Sequence, residues 1–407
     1  MGKKRNGMIK AGRHTRHGKR DDEESMSLES VKTLASNDSE FDGILRKGGE
    51  DRIDDVIEEL NEERTTTRVA ALAKLKSKLL QYLAPEDLSE SFVANVLGCL
   101  RKPSEDEAVL GSQILAITAI ILGNDEERFY QRSKNVLMPL IKASRKAKVM
   151  VPSCVTSNNN EQTISALGLI CFICSVETEN TYDVLETLET FFDPKIAGDI
   201  CNAALESWGL VASNLEDTML VSDTFTGRLV PKFIALLDHK EIEVRSAAGE
   251  NVAFLHEISQ NYGVTLPYDG EVIDRFLELS KENSKRNSKK DRKVQRVAFR
   301  DIYLSLANGE IPHISFSVKG EVLEISSWKL VKQFEAVKNC LQTGLQEHIK
   351  YNKRLRALLD LPDTLEDRKL GGSEYLDKKS ASRKQRSIGI KGDRKQKQHM
   401  QNVFYES

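Results

Sequence analysis

Apolar residues recur every three or four positions through most of residues 51–306, and this spacing is typical of amphipathic α-helices. A clear example is the segment RVAALAKLKSKLLQYL at residues 68–83. The same spacing predicts further helices over residues 105–122, 126–144, 161–176, 182–192, 196–213, 225–237, 242–261, 271–283 and 290–306. Residues 149–160 contain Pro152 and a run of asparagines, so a loop is predicted there.

A shorter pattern repeats within these helices, in which small residues are followed by a stripe of larger apolar ones. The small residues align at Ala70, Gly111, Ser165, Ala203, Ala247 and Ala298. Their spacings are 41, 54, 38, 44 and 51 residues, and the shorter ones are close to the roughly 40–47-residue period of HEAT and armadillo repeats. Small residues let paired helices approach closely, so stacked pairs would bury a continuous core. An all-α, HEAT/armadillo-like α-solenoid is therefore predicted, with a non-repeating helical bundle as the alternative.

The periodicity changes to two over residues 313–328, HISFSVKGEVLEISSW, which predicts a β-hairpin around Lys319 and Gly320. Ser326 or Ser327 is then expected to cap a helix that starts at Trp328. We expect Trp328 to pack into the core rather than against a partner. A further helix is predicted over residues 346–362.

These patterns divide the chain into a central folded part with polar, charged ends. The predicted units are a disordered basic-then-acidic N-terminal arm (residues 1–50), a helical repeat domain (51–310), a small C-terminal hairpin–helix domain (311–367) and a disordered basic C-terminal tail (368–407).

Charge is distributed unevenly along the chain. Its 407 residues carry 60 Lys and Arg against 62 Asp and Glu, a net charge of −2. Residues 1–20 sum to +8, residues 281–300 to +7 and residues 368–399 to +8, which leaves −25 for the remainder. A basic tail on an acidic body favours a polyanionic partner reached through that tail. The alternative is that the charged ends are only solubilising, disordered segments.

Several classes of protein are disfavoured by the sequence. The longest apolar runs are far shorter than the roughly 20 residues of a membrane-spanning helix, and no apolar stretch follows the basic N-terminus as in a secretory signal. Cys171 and Cys174 lie in an apolar helical pattern without a second pair, so core packing is favoured over zinc binding. Phosphate-binding GxxxxGK[ST] and nucleophile-elbow GxSxG motifs are absent. We expect no catalytic residue, no metal and no cofactor.

Basic residues near the C-terminus are the main candidates for binding nucleic acid. Four of them surround Tyr351 in the predicted last helix, namely Lys350, Lys353, Arg354 and Arg356. Those of the tail are Lys378, Lys379, Arg383, Lys384, Arg386, Lys391, Arg394, Lys395 and Lys397. Basic residues beside an aromatic one suit RNA, which is bound by phosphate contact and stacking. The alternative for the helix is a solvated face with Tyr351 packed inward.

Two further segments invite a functional interpretation. The internal basic run contains Lys285, Arg286, Lys289, Lys290, Arg292 and Lys293. It is a candidate nuclear-localisation signal or RNA patch, or else the exposed face of a helix whose Val294, Val297 and Ile302 point inward. The apolar tip Val403, Phe404 and Tyr405 follows the basic tail. We hypothesise that the tail folds on RNA with this tip as its anchor.

Two blocks of sequence carry a resemblance to a known family. They are DDVIEELNEERTTTRVAALAKLKSKL at residues 54–79 and GEVLEISSWKLVKQFEAVKNCLQTGLQEHIKYNKRLRALLDL at residues 320–361. The second block contains an HxxxNxxLR motif formed by His348, Asn352, Leu355 and Arg356. In these features the chain resembles the interferon-related developmental regulator family.

The resemblance implies a HEAT/armadillo-type solenoid without enzymatic activity. Members of the family are described as factors that occupy ribosomes and hold them inactive, with a helical C-terminal segment in the tRNA and mRNA path. They are also described as nuclear transcriptional co-regulators. The expected partners are therefore the ribosome, through rRNA and ribosomal proteins, or nuclear co-repressor proteins. We expect a cytoplasmic and nuclear location, without a membrane or a small-molecule substrate. A transport-receptor-like adaptor is a further alternative that the repeat pattern allows.

Overall fold

The computed structural model describes residues 53–124, 126–150, 158–268, 270–282, 289–318, 321–359 and 361. The helices of the repeat region are α1 (Ile53–Glu58), α2 (Thr65–Leu80), α3 (Glu90–Cys99), α4 (Glu105–Leu122), α5 (Glu127–Met150), α6 (Asn158–Cys174), α7 (Thr178–Glu189), α8 (Gly198–Ala212), α9 (Asp217–Leu220), α10 (Asp223–Leu236), α11 (Ile242–Tyr262), α12 (Gly270–Lys281) and α13 (Lys289–Asn308). The strands β1 (Ile314–Val318) and β2 (Glu321–Ile325) follow, and then the helices α14 (Trp328–Leu341), α15 (Leu345–Tyr351) and α16 (Lys353–Leu358).

The helices of the repeat region form a HEAT/armadillo-like α-solenoid, as predicted. Helices α2, α4, α6, α8, α11 and α13 contact one another in succession, and we call them the inner row. Helices α3, α5, α7, α10 and α12 each pack against an inner-row helix from outside. Every small residue that aligned the repeats, from Ala70 to Ala298, lies in a helix of the inner row.

Small residues in the inner row allow neighbouring repeats to touch. A Cβ atom added at Gly168 on α6 would lie 2.6 Å from the Cβ of Ser207 on α8. One added at Gly111 on α4 would lie 2.8 Å from Leu100, which caps the end of α3. Both distances are shorter than van der Waals contact allows. The close approach of α6 to α8 therefore requires glycine at position 168, whereas a larger residue at position 111 would require the Leu100 side chain to shift.

The start of α4 shows how local signals and packing agree. Ser104 and Glu107 form a capping box, in which each side chain accepts a hydrogen bond from the other's backbone N–H. Glu107 is also buried and accepts a 2.6 Å ion-pair contact from Nε of Arg68 on α2. One carboxylate therefore caps a helix and links two successive repeats.

The apolar core is continuous from Val56 to Leu359. Near its middle Trp208 stacks among Phe192, Phe225 and Phe233, with ring centroids 5.0–6.4 Å from its own. Trp328 is 1% exposed, which confirms its predicted place in the core. The boundary proposed at residue 310 remains a prediction, although the core crosses it without interruption.

The C-terminal elements begin with the predicted hairpin. Strands β1 and β2 are antiparallel, with Ile314 opposite Ile325 and Phe316 opposite Leu323. The predicted turn at Lys319 and Gly320 lies outside the described residues. The hydroxyl of Ser327 accepts a 3.1 Å hydrogen bond from the backbone N of Leu330, so the predicted serine cap of α14 is confirmed at this residue.

Two sequence-based boundaries differ from the structure. The single helix expected over residues 346–362 is wrong, because the chain leaves helical geometry at Asn352 (φ −85°, ψ 97°) and the side chain of this residue caps α16. The loop expected over residues 149–160 is shorter at both ends, since α5 extends to Met150 and α6 begins at Asn158. Its centre, residues 151–157, lies outside the described part of the chain.

After the hairpin the chain runs back along the solenoid toward its start. Helix α14 contacts α11, α8 and α4 of the inner row, α15 contacts α2, and α16 contacts α4. We call residues 328–359 the C-terminal clasp. It brings α15 and α16, and with them Leu361, to α2 and α4, the first two helices of the inner row. Within the described ranges, no helix is long and apolar enough to cross a lipid bilayer.

Candidate functional site

His348 fixes the clasp to the first repeat. Its Nε2 lies 2.8 Å from the carbonyl oxygen of Leu79, so this nitrogen carries the hydrogen and donates it. The ring is fully buried, and burial lowers the pKa of His348 below its ordinary value, which keeps the imidazole neutral. Its Nδ1 has no hydrogen-bond partner among the described residues.

Asn352 fixes the clasp to the next repeat. Its Nδ2 donates a 2.8 Å hydrogen bond to the carbonyl oxygen of Ile120 on α4. Its Oδ1 accepts hydrogen bonds from the backbone N of Arg354 (3.0 Å) and of Leu355 (3.1 Å), which satisfies the free N–H groups at the start of α16. Because the helix breaks at Asn352, the side chain of this residue can contact both α16 and α4.

An ion pair fixes the start of the clasp. Nζ of Lys332 on α14 lies 2.9 Å from a carboxylate oxygen of Glu250 on α11, and the two side chains are only 4% and 17% exposed. Next to it Gln333 donates a 3.1 Å hydrogen bond to the hydroxyl of Ser213. A Cβ at Gly209 would lie 2.4 Å from Oδ1 of Asn251 and 3.2 Å from Cε of Lys332, so this glycine makes room for both side chains.

The structure separates the four basic residues that the sequence grouped around Tyr351. Arg356 is 1% exposed, and its Nη1 donates a 2.9 Å hydrogen bond to the carbonyl oxygen of Ile349. Its assignment to the nucleic-acid set is wrong, because the guanidinium is buried inside the clasp. Lys353 and Arg354 are exposed and Lys350 is half-buried. Tyr351 is 48% exposed, so the alternative that it packs inward is also wrong.

A second tyrosine, which the sequence did not indicate, joins this group. Tyr82 follows α2, and its ring lies almost parallel to that of Tyr351, with a centroid distance of 6.2 Å and an interplanar angle of 17°. Nζ of Lys350 lies 4.3 Å from the Tyr351 centroid and donates a hydrogen bond to its hydroxyl. We call Tyr82, Lys350, Tyr351, Lys353 and Arg354 the aromatic–basic patch.

The surroundings of the patch carry charges of both signs. Burial raises the pKa of Tyr82, the nearby carboxylates of Glu86 and Asp87 raise it further, and Arg354 opposes them. The stem of Arg354 lies against Gly123, where an added Cβ would be 2.5 Å from its Cδ. The packing of this stem on the turn after α4 holds the exposed guanidinium beside Tyr82.

The internal basic run is only partly described. Lys285 and Arg286 lie outside the described residues, Lys289 and Lys290 begin α13, Arg292 is half-buried and Lys293 is exposed. On the same helix Val297 and Ile302 are buried as predicted, whereas Val294 is 36% exposed, which contradicts its predicted inward position.

The tail candidates from Lys378 to Lys397 and the apolar tip Val403–Tyr405 all lie outside the described residues. Their proposed contacts with RNA therefore stay predictions.

Cys171 and Cys174 are buried core residues, as predicted. Burial raises the pKa of Cys171 to about 12, so the thiol stays protonated at neutral pH. In the described part of the chain, no group of three or more His, Cys, Asp or Glu side chains is placed to hold a metal ion.

Comparison with known proteins identifies the family. The sequence model of the interferon-related developmental regulator family matches residues 25–307. The mouse interferon-related developmental regulator 2 is 27% identical over 338 residues, covering 78% of this chain and 74% of the relative. The human interferon-related developmental regulator 1 is 24% identical over 311 residues, covering 72% of this chain and 67% of the relative. Among solved structures, a designed armadillo repeat protein aligns with a TM-score of 0.37 and 15% identity, covering 61% of this chain and 99% of its own. The chain belongs to the interferon-related developmental regulator family.

Proposed function

We propose that this protein is a non-enzymatic adaptor that associates with ribosomes through RNA and represses translation. Its basic C-terminal segment would occupy the path that tRNA or mRNA uses, and the effect would be steric. Family membership, the +8 charge of residues 368–399 and the exposed basic residues at the end of the clasp support this proposal.

The observation that carries the proposal is the position of Leu361, the last residue that the structure describes. The backbone N of Leu361 donates a 2.8 Å hydrogen bond to the carbonyl oxygen of Arg356, and Arg356 is buried in the clasp. The basic tail starts at Arg368, only a few residues later. Its root is therefore held beside α2 and α4, next to the aromatic–basic patch.

Because the start of the basic tail is held in place, the position of the docked fold controls how the tail binds. Once the folded part has docked, the tail binds as an intramolecular ligand at a high effective concentration. Each lysine or arginine that contacts a phosphate releases counterions, so binding is expected to weaken steeply as salt rises. The tail would then fill a nucleic-acid path at a defined distance from the docked solenoid.

The alternative is a nuclear co-regulator that binds partner peptides along the solenoid, with the basic runs as import signals. Between α4 and α11 the clasp already covers inner-row helices. A partner peptide at this face would have to displace α14 together with its Lys332–Glu250 ion pair. The structure therefore supports the ribosome proposal more than this one.

Sedimentation of cell extract on sucrose gradients tests the proposal. The full chain is compared with a truncation after Asp367, and a truncation after His399, which keeps the basic tail, is the control. We expect the full chain to migrate with monosomes, to be released at high salt and by RNase, and to lower the output of a translation reporter. The chain that ends at His399 should also migrate with monosomes but be released at lower salt, because it lacks the apolar tip. The chain that ends at Asp367 should stay at the top. A full chain that stays at the top in growing and starved cells alike would reject the proposal.

A further inference from the structure

We propose that Tyr351, supported by Tyr82, is a stacking platform for one unpaired base of single-stranded RNA. The inference rests on the proposed function and deepens it, because it names the kind of RNA element that the folded part would contact.

The rings form a column that runs from the core to the surface. His348 is fully buried, Tyr82 is half-buried and Tyr351 is 48% exposed. Tyr82 meets the edge of the His348 ring at a centroid distance of 5.5 Å and lies nearly parallel to Tyr351 at 6.2 Å. His348 is in turn held by its hydrogen bond to Leu79. Tyr351 is thus supported from below by Tyr82, while the residue as a whole remains 48% exposed.

The backbone of Tyr82 is a second, independent observation. Its φ of 65° lies in the left-handed region, which bulky residues rarely adopt. Unfavourable backbone conformations of this kind concentrate at functional sites. Here the unusual φ occurs just after the end of α2, at the residue whose ring lies against Tyr351.

The charges around the column fit a nucleotide. Lys350 lies against the Tyr351 ring, while Lys353 and Arg354 are exposed on the adjoining α16. Aromatic rings that stack bases, together with basic groups that contact the flanking phosphates, are typical of single-strand binding sites. A regular duplex does not fit, because its bases are already stacked and paired. The patch therefore favours a loop, a bulge or a single strand.

The test measures binding of the full chain to a fluorescent 12-nucleotide oligouridylate and to a 12-base-pair RNA duplex by anisotropy. Tyr351→Leu removes the ring, whereas Tyr351→Phe keeps it and loses only the hydroxyl. Tyr262→Leu is the matched control, because Tyr262 is 49% exposed at the end of α11, away from the patch. Thermal melting verifies that each variant is folded.

We expect Tyr351→Leu to weaken binding of the single strand about fivefold to a hundredfold, the range for one base–aromatic stack. Tyr351→Phe and Tyr262→Leu should bind the single strand as the unmodified chain does, and duplex binding should be unchanged in all variants. Tyr82→Asn, which removes the supporting ring but tolerates a positive φ, should weaken single-strand binding as well.

Three results would overturn the inference. One is a Tyr351→Leu chain that binds the oligouridylate as tightly as the unmodified chain. Another is an equal loss for Tyr351→Phe or Tyr262→Leu, and the third is an equal loss on the duplex. If ribosome association persists while any of these occurs, only the stacking inference fails. If the full chain binds neither ribosomes nor RNA, the proposed function fails with it.

Discussion

The imidazole of His348 donates a 2.8 Å hydrogen bond to the carbonyl oxygen of Leu79, although 269 positions separate the two residues. This contact joins the last part of the folded chain to the first long helix of the solenoid. The end of the described structure therefore packs against the first long helix of the solenoid.

Replacing His348 by alanine should destabilise the fold. The substitution removes a hydrogen bond to the buried carbonyl of Leu79, worth about 0.5–1.5 kcal/mol, while the backbone N of Tyr82 still donates to that oxygen. It also removes the ring that supports Tyr82. Urea denaturation measures the loss of unfolding free energy. His313→Ala is the matched control, because that histidine is exposed. Equal stability of the two variants would contradict the role given to His348.

The stability of the chain should depend on pH through the same residue. Burial lowers the pKa of His348 below its ordinary value of 6.5, so in the interval between these two values the unfolded chain binds a proton that the folded chain does not. The unfolding free energy should therefore be retained above pH 6.5 and fall below it, by up to about 1.4 kcal/mol per pH unit. His256, whose pKa burial also lowers, should add to this dependence. His348→Gln should flatten the curve between pH 7 and 5, and an unchanged slope would argue against this assignment.

Asn352→Ala should cost more stability than a helix cap alone. It removes the cap of α16, worth about 1 kcal/mol, and also the donor to the buried carbonyl of Ile120, worth about 1–3 kcal/mol. Asn352→Ser restores the cap, but the shorter serine side chain does not reach the carbonyl of Ile120. It should therefore recover only the roughly 1 kcal/mol that the cap contributes. The exposed Asn339 on α14 provides the control. If urea denaturation shows that Asn352→Ser recovers the full unfolding free energy, the contact with Ile120 does not stabilise the fold.

Removing one partner of the Lys332–Glu250 ion pair should destabilise the fold more than removing both charges. Lys332→Met removes the lysine from a largely buried carboxylate, at a cost of about 3 kcal/mol. The double variant Lys332→Met with Glu250→Gln should recover part of this loss, because neither charge then remains. Arg128 and Glu90 form an exposed pair, 75% and 72% accessible, so Arg128→Ala should cost less than about 1 kcal/mol. A double variant less stable than the single one would contradict this.

The tail should account for the salt dependence of ribosome binding. Replacing Arg383, Lys384, Arg386 and Lys391 by alanine should lower the slope of log affinity against log salt by about 0.7–0.9 for each RNA phosphate that the tail no longer neutralises. The control replaces four exposed basic residues of the solenoid, Arg101, Lys102, Lys195 and Lys240. Equal slopes for the two variants would show that the charge of the tail has no special role.

Negative charge on the tail should weaken binding to ribosomes, whereas its lysines and arginines strengthen it. Ser380, Ser382 and Ser387 lie among the basic residues, and phosphorylation there would repel RNA phosphates. Replacing all three by glutamate is expected to abolish co-sedimentation with ribosomes, whereas replacement by alanine should not. Ribosome binding that survives the glutamate variant would reject this form of regulation.

The helices and their stacking follow from patterns in the amino-acid sequence. Periodicity placed α4 over residues 105–122 with the same bounds as the structure, because a capping box begins it and Gly123 ends it. The aligned small residues identified the inner row, since close helix contact tolerates few other side chains. The core positions of Trp328 and Cys171 followed from their apolar surroundings.

Only the tertiary structure decided where the C-terminal residues lie. Local pattern treated residues 346–362 as one basic helix, but the clasp meets the carbonyls of Leu79 and Ile120, and these partners ended the helix at Asn352. The same packing buried Arg356 and exposed Tyr351. Tyr82 joined the patch although 269 positions separate it from Tyr351. Helical periodicity is a local property, whereas a contact between the two ends of a solenoid depends on how all the intervening repeats stack.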